Sequence, residues 1–182
     1  MLVEAARRAG AHVFPPSAGW ILPLFFSGLW ERTEGVALFG YSRGGVSAVR
    51  LARFLAKERI RVVLLYLIDP ITFCGRLLSI PSWVEHAFCC RQRAGARFWL
   101  LRGRLGRGTP CRVEGARSTV LEEEVVDSFP DGRPLRHEDM IRYALDYARL
   151  PLEQGLTCSY PKLAPDRVEP IPQLVSQSVE RP

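Results

Sequence analysis

A serine flanked by glycines, at the end of a short apolar run, constrains this chain more than any other feature. Residues 36–39 form a continuous apolar run of strand length, and Gly40-Tyr41-Ser42-Arg43-Gly44 follows directly. After the serine, apolar residues recur at helical spacing and charged residues occupy the opposite face. The pattern predicts a buried strand that turns sharply into a helix, with Ser42 in the turn.

The spacing of the glycines has a steric interpretation. Strand and helix approach closely at such a turn, so we expect a side chain at Gly40 or Gly44, two residues before or after Ser42, to collide with its neighbour. A plain loop in which Ser42 is only the N-cap of the helix is the alternative.

Apolar strand-like runs alternate with helical patterns along the chain. The most strand-like run, residues 61–68, directly follows the helix that is predicted after Ser42. The sequence therefore predicts the α/β class, with a doubly wound, mostly parallel sheet in a three-layer sandwich. Further strands are predicted at 11–14, 83–90, 96–101 and 118–126, helices at 18–32 and 135–148, loops at 71–82 and 102–110, and a turn at 129–134.

The length of 182 residues and the hydrophobic fraction of 47% suit one domain with a real core. We assign this domain to residues 1–150. Prolines punctuate residues 151–182, which show no apolar periodicity. This segment is therefore predicted to be a loosely ordered tail.

The net charge of +6 comes almost entirely from arginines, because only Lys57 and Lys162 are lysines. The densest basic cluster, residues 102–107, has no interleaved aromatic platform. We therefore expect no nucleic-acid partner, and a solvated loop is the simplest interpretation of the cluster. Peripheral contact with an acidic membrane surface stays open.

The cysteine spacing and the apolar segments indicate which cofactors and which cellular compartment to expect. Without a C-x-x-C pair, the cysteines predict neither a zinc site nor a disulfide framework, and no cofactor is expected. The N-terminus lacks the pattern of a signal peptide, and the apolar run at 20–30 is too short to cross a bilayer. A cytoplasmic protein with reduced thiols is predicted. The five cysteines are Cys74, Cys89, Cys90, Cys111 and Cys158.

A nucleophilic serine needs a base that takes its proton. His137 is the preferred candidate, because it stands late in the chain, where a loop meets a predicted helix. The order serine, acid, histidine is one of the chain orders in which serine nucleophiles occur with their acid and base. His86, in an apolar segment, and His12, before the serine, are the weaker alternatives.

The candidate acid is Asp69, which directly follows the strand at 61–68. The carboxyl ends of parallel strands meet at one sheet edge, so Asp69 should lie near Ser42. Asp127 is the fallback, with Asp131 beyond it, and a turn-forming role before proline is the alternative for Asp69. The backbone N–H of Arg43 is the expected oxyanion donor, since it follows the nucleophile.

Together these segments resemble a branch of bacterial α/β hydrolases, the lipase- and phospholipase-like members with GYSRGG or GFSRGA elbows. The resemblance covers about residues 35–150. It implies an α/β-hydrolase fold with Ser42 as nucleophile, Asp69 as acid and His137 as base. The motifs that carry it are Gly40-Tyr41-Ser42-Arg43-Gly44-Gly45, Ile68-Asp69-Pro70, Ile80-Pro81 with Val84, and His137 opening a helix.

The implied function is that of a serine hydrolase acting on an ester or thioester through an acyl-enzyme. The apolar run at 20–30 favours a lipid-like substrate. Such hydrolases take a second oxyanion N–H from a loop before the elbow, and residues 1–34 contain no Gly-rich turn of that type. The departure fits either a shortened family member or an N-terminally truncated sequence, and it leaves a second hypothesis for the function, a catalytically inactive hydrolase-like binding domain.

Overall fold

The computed structural model describes residues 7, 12–16, 35–72, 77–96, 106–115 and 119–146. In chain order the elements are β1 (Val36–Tyr41), α1 (Arg43–Lys57), β2 (Val62–Ile68), β3 (Leu78–Ile80), β4 (Val84–Arg91), β5 (Cys111–Val113), β6 (Val120–Val125), a 3-10 turn (His137–Asp139) and α2 (Met140–Asp146).

Four of these strands form a parallel sheet in the order β1-β2-β4-β6. Helix α1 connects β1 to β2, the crossover that a parallel pair requires. The α/β class and the mostly parallel sheet are therefore confirmed. The strands predicted at 36–39, 61–68, 83–90 and 118–126 are all present, with small shifts at their ends.

One face of the sheet packs against α1. Alternate residues of each strand point to this face, and they form one apolar cluster with the buried side of the helix. The second half of β2 is buried on both faces, which explains its continuous apolar run. Strand β1 is buried only on the side of α1, so the prediction of a buried strand is wrong at the exposed Phe39. The cluster includes Leu38, Val49, Ala52, Leu55, Val62, Leu65, Leu67 and Val84.

The opposite face carries an aromatic row and contacts α2. Phe39, Tyr66 and Phe88 are register partners across β1, β2 and β4, and neighbouring ring centroids lie 5.8 and 4.9 Å apart. Tyr143 of α2 donates a hydrogen bond to Glu124 of β6, at 3.1 Å. The described helices therefore lie on both sides of the sheet.

Strands β3 and β5 pair in parallel as a separate two-stranded sheet. The predicted loop at 71–82 is therefore wrong at Leu78–Ile80, and β5 was not predicted. Each strand has only three residues, which is too short for an alternating pattern to stand out. Residues 106–110 contain no helix or strand, as predicted, and residues 129–134 form the predicted turn.

The strand predicted at 11–14 is wrong for residues 12–14, which form no ladder. Two prolines follow directly, and proline has no N–H to donate to a neighbouring strand. Residues 18–32, 97–101 and 147–182 lie outside the described residues, so the predictions made there stay predictions. In the part of the chain that is described, no helix has the length and apolar character to cross a membrane.

Candidate active site

Ser42 stands in the turn between β1 and α1, as the sequence predicts. Its backbone has φ 56° and ψ −125°, a conformation that costs a non-glycine residue free energy and is typical of strained functional turns. The Ser42 N–H donates to the carbonyl of Ile68 at 3.0 Å, and its carbonyl accepts from the N–H groups of Gly45 and Ile71, each at 3.1 Å. The turn is therefore tied to the end of β2.

The glycines of this turn follow the steric prediction only in part. A Cβ at Gly40 would lie 2.6 Å from the Cα of Gly45, so the prediction holds there. It is wrong at Gly44, where a Cβ would meet nothing within 4 Å, because this residue faces away from the strand. The close approach on the helix side falls instead at Gly45, whose Cβ would lie 2.8 Å from the Cβ of Pro70.

Asp69 follows β2 at the same sheet edge as Ser42. Its side chain has no exposed surface, and its backbone has a positive φ of 44°. The Asp69 N–H donates to the carbonyl of Cys90 at 2.7 Å, which fixes this strained residue against β4. A Cβ at Gly108 would overlap Oδ1 of Asp69, so only glycine lets that backbone lie against the carboxylate.

Gln92 is the principal partner of this buried carboxylate that the sequence reasoning missed. Its backbone N–H donates to Oδ1 of Asp69 at 3.0 Å, and its side-chain amide donates to Oδ2 at 2.7 Å. The amide of Gln92 also bonds the backbone of Gly95 and Gly106. Gln92 follows β4 as Asp69 follows β2, so the rule about strand ends could have found it.

His137 begins the 3-10 turn before α2 and reaches both other candidates. Its Nδ1 lies 2.6 Å from Oδ2 of Asp69, and its Nε2 lies 3.0 Å from Oγ of Ser42. The His137 backbone N–H donates to the carbonyl of Gly95 at 3.2 Å. The structure thus brings together the three side chains that the sequence singled out.

Tyr41 supports the imidazole from β1. Its ring stacks on that of His137, with centroids 4.9 Å apart and planes 14° from parallel. Its hydroxyl donates to the backbone carbonyl of His137 at 3.0 Å. Burial, followed by the charge of Asp69, raises the pKa of Tyr41 to about 12, so the phenol keeps the proton that it donates.

The weaker candidates lie in other environments. His12 stacks on Phe14, and His86 is an exposed residue of β4. Asp127 pairs with Arg93, and the guanidinium holds the pKa of that carboxyl below its usual range. Asp131 pairs with Arg133 inside the turn at 129–134, with the same effect on its pKa.

Arg43 is the first residue of α1, and its side chain is exposed. Backbone N–H groups in the first turn of a helix point outward along the axis, where they can meet a developing negative charge. The backbone N–H of Arg43 directly follows Ser42, which is the position expected for an oxyanion donor.

The arrangement suits proton transfer from the serine. A neutral imidazole that donates its Nδ1–H to Asp69 has its Nε2 lone pair directed at the Ser42 hydroxyl. The Asp69 carboxylate has no exposed surface and accepts two hydrogen bonds from Gln92, an arrangement that can hold the ring and balance the charge of an imidazolium.

No protein-family model, curated protein or solved structure significantly matches this chain. The geometry of its own residues therefore carries the functional argument.

Proposed function

We propose that this protein is a serine hydrolase of the α/β-hydrolase type, which cleaves an ester or thioester. Ser42 is the nucleophile, His137 the general base and Asp69 the acid that orients it. The observation that carries the proposal is the unbroken series of contacts from Asp69 Oδ2 to His137 Nδ1, at 2.6 Å, and from His137 Nε2 to Ser42 Oγ, at 3.0 Å.

The position of each residue on its element supports the hydrolase type. Ser42 and Asp69 follow adjacent parallel strands, and His137 comes after the last described strand, at the start of a helical segment. The order serine, acid, histidine along the chain is that of α/β hydrolases. The positive φ of Ser42 suits a nucleophile elbow, the sharp strand-to-helix turn that carries a reactive serine. An ordinary N-cap does not need a positive φ.

Acylation begins when the Ser42 oxygen attacks the carbonyl carbon and His137 Nε2 takes the hydroxyl proton. The imidazolium then gives this proton to the leaving alcohol or thiol. Water attacks the acyl-enzyme in the same manner and returns Ser42 to its free form. The buried carboxylate of Asp69 balances the imidazolium charge in both halves of the cycle.

The oxyanion of each tetrahedral intermediate lies near the N-terminus of α1. The Arg43 backbone N–H donates to it, and the helix dipole adds to this stabilisation. One oxyanion donor is worth about 10²–10³ in rate in better-studied hydrolases.

An apolar acyl group suits the surroundings of the base. Phe39 lies on the same face of β1 as Tyr41, two residues away, and it is 44% exposed. An exposed aromatic ring beside the ring that stacks on His137 favours substrates with a hydrocarbon chain. The lipid-like preference expected from residues 20–30 rests on the sequence alone.

Turnover of p-nitrophenyl esters with short and long acyl chains, and of an acyl thioester, tests the proposal. We expect hydrolysis that falls by about 10³-fold or more in Ser42→Ala, because the nucleophile is lost. Ser47→Ala, a change at an exposed hydrogen bond of α1, is the matched control and should keep the wild-type rate. Equal rates for wild type and Ser42→Ala would instead favour the catalytically inactive binding domain.

A further inference from the structure

Two cysteine thiols meet between the two sheets. The Sγ of Cys89 in β4 lies 3.3 Å from the Sγ of Cys111 in β5. Cys89 is fully buried, whereas Cys111 is partly exposed. The two residues are 22 positions apart in the chain, so no local cysteine spacing announces the pair.

The backbone holds Cys111 in this place independently of the thiols. Glu123 is the register partner of Cys89 in the neighbouring strand β6. Its carboxylate accepts the backbone N–H of Cys111 at 3.0 Å and pairs with Arg91 at 3.0 Å. The hydrogen bond from Cys111 to Glu123 therefore holds β5 next to β4. This packing brings the two sulfur atoms close together.

We propose that Cys89 and Cys111 are a redox-active dithiol, which closes to an intramolecular disulfide by exchange with a low-molecular-weight disulfide such as oxidised glutathione. The proposal concerns a site apart from Ser42, and it stands or falls independently of the hydrolase function.

The exchange balances in two steps. The Cys111 thiolate attacks one sulfur of the glutathione disulfide, forms a mixed disulfide and releases one glutathione thiolate, which takes up a proton. The Cys89 sulfur then attacks the Cys111 sulfur, and the second glutathione leaves as a thiolate that takes up the proton lost by Cys89. Two protein thiols are oxidised, and one disulfide is reduced to two thiols.

Exposure sets the order of these steps. Of the two paired thiols, Cys111 is the one open to an external disulfide, because Cys89 is covered by the core. The hydrogen bond to Cys111 and the burial of the thiol both raise the pKa of Cys89, so its thiolate is scarce at neutral pH. Closure is therefore slow at neutral pH and faster in mildly alkaline solution.

The dithiol adjoins the backbone that covers Asp69. Gly108 lies against the carboxylate, and the N–H of Thr109 donates to the carbonyl of Pro70 at 2.6 Å. Cys111 follows two residues later, so a disulfide to Cys89 fixes this segment against the main sheet. The oxidised protein should therefore resist thermal unfolding better than the reduced protein.

Tryptic mapping of the folded wild-type protein tests the proposal. After incubation with oxidised glutathione at pH 8 and alkylation of the remaining thiols, we expect a disulfide-linked pair of the peptides 77–91 and 108–112. Dithiothreitol should separate the pair, and the linked protein should melt several degrees higher than the reduced protein.

Peptide 77–91 contains both Cys89 and Cys90, so single variants assign the link. Cys90→Ala should keep the link, and Cys89→Ala and Cys111→Ala should each lose it. Absence of the linked pair from folded wild-type protein would overturn the proposal. So would a link that survives in Cys89→Ala, or zinc binding that protects both thiols from oxidised glutathione, since Glu123 could join them around a soft cation.

Discussion

Gln92 holds both oxygens of the Asp69 carboxylate, through its backbone N–H at 3.0 Å and its side-chain amide at 2.7 Å. Both residues have no exposed surface, so water cannot replace either bond. The amide donates to the same oxygen that meets His137, and it thereby fixes the direction from which the carboxylate faces the imidazole.

Gln92→Met keeps the size of the side chain and removes the hydrogen bonds of its amide, whereas the backbone N–H bond to Oδ1 of Asp69 stays. Because a hydrogen bond to a charged group contributes about 1.5–3 kcal/mol, we expect kcat/KM for ester hydrolysis to fall by about 10- to 100-fold. The fall should appear in kcat, because Gln92 orients the catalytic groups, and the NMR signal of the His137 Nδ1 proton should shift.

Arg93→Ala is the matched control for this variant. Arg93 is the next residue, it is exposed, and its guanidinium pairs with Asp127. Loss of a fully exposed ion pair has little effect on stability, and activity should be unchanged. Wild-type kcat in Gln92→Met would show that the side chain of Gln92 has no part in positioning Asp69.

Gly44 and Gly45 form a pair of adjacent positions with opposite expectations. Gly44→Ala places its Cβ in open space within α1, so we expect unchanged or slightly higher stability, by up to about 0.5–1 kcal/mol. Gly45→Ala drives its Cβ against Pro70, and we expect a loss of about 1–3 kcal/mol. Urea unfolding of both variants measures these changes, and equal effects would contradict the structure of the turn.

Tyr41→Phe keeps the ring that stacks on His137 and removes its hydrogen bond. The pKa of Tyr41 is raised in the folded protein to about 12 from 10, so its extra stabilisation is complete below pH 10 and is lost as the pH rises through 12. The stability difference between wild type and Tyr41→Phe should therefore shrink from pH 10 to pH 12. Denaturant unfolding at several pH values tests this, and a constant difference would count against it.

The sequence predicted the three contacting side chains through short-range patterns. Ser42 is marked by its glycines, Asp69 by the end of an apolar strand, and His137 by its late place before a helical pattern. The rule that parallel strands end at one edge then predicted that Ser42 and Asp69 lie close together. The acyl-transfer roles of these residues stay predictions until they are measured.

Contacts between distant segments were less accessible to sequence reasoning. Gln92 is marked only by its place after β4, and its contact with Asp69 depends on how β2 and β4 pair. Cys89 and Cys111 meet because β5 packs beside the main sheet, and a three-residue strand leaves little pattern to detect. The Gly44 prediction failed because the motif gives spacing, whereas the helix phase decides which glycine faces Pro70.

Labelling by a fluorophosphonate probe tests the central claim most directly, because the probe phosphonylates only a serine that an adjacent base activates. Peptide mapping of the folded protein should locate one adduct, on Ser42, and the adduct should be absent from Ser42→Ala and strongly reduced in His137→Ala. The absence of an adduct on Ser42 in folded wild-type protein would contradict the account.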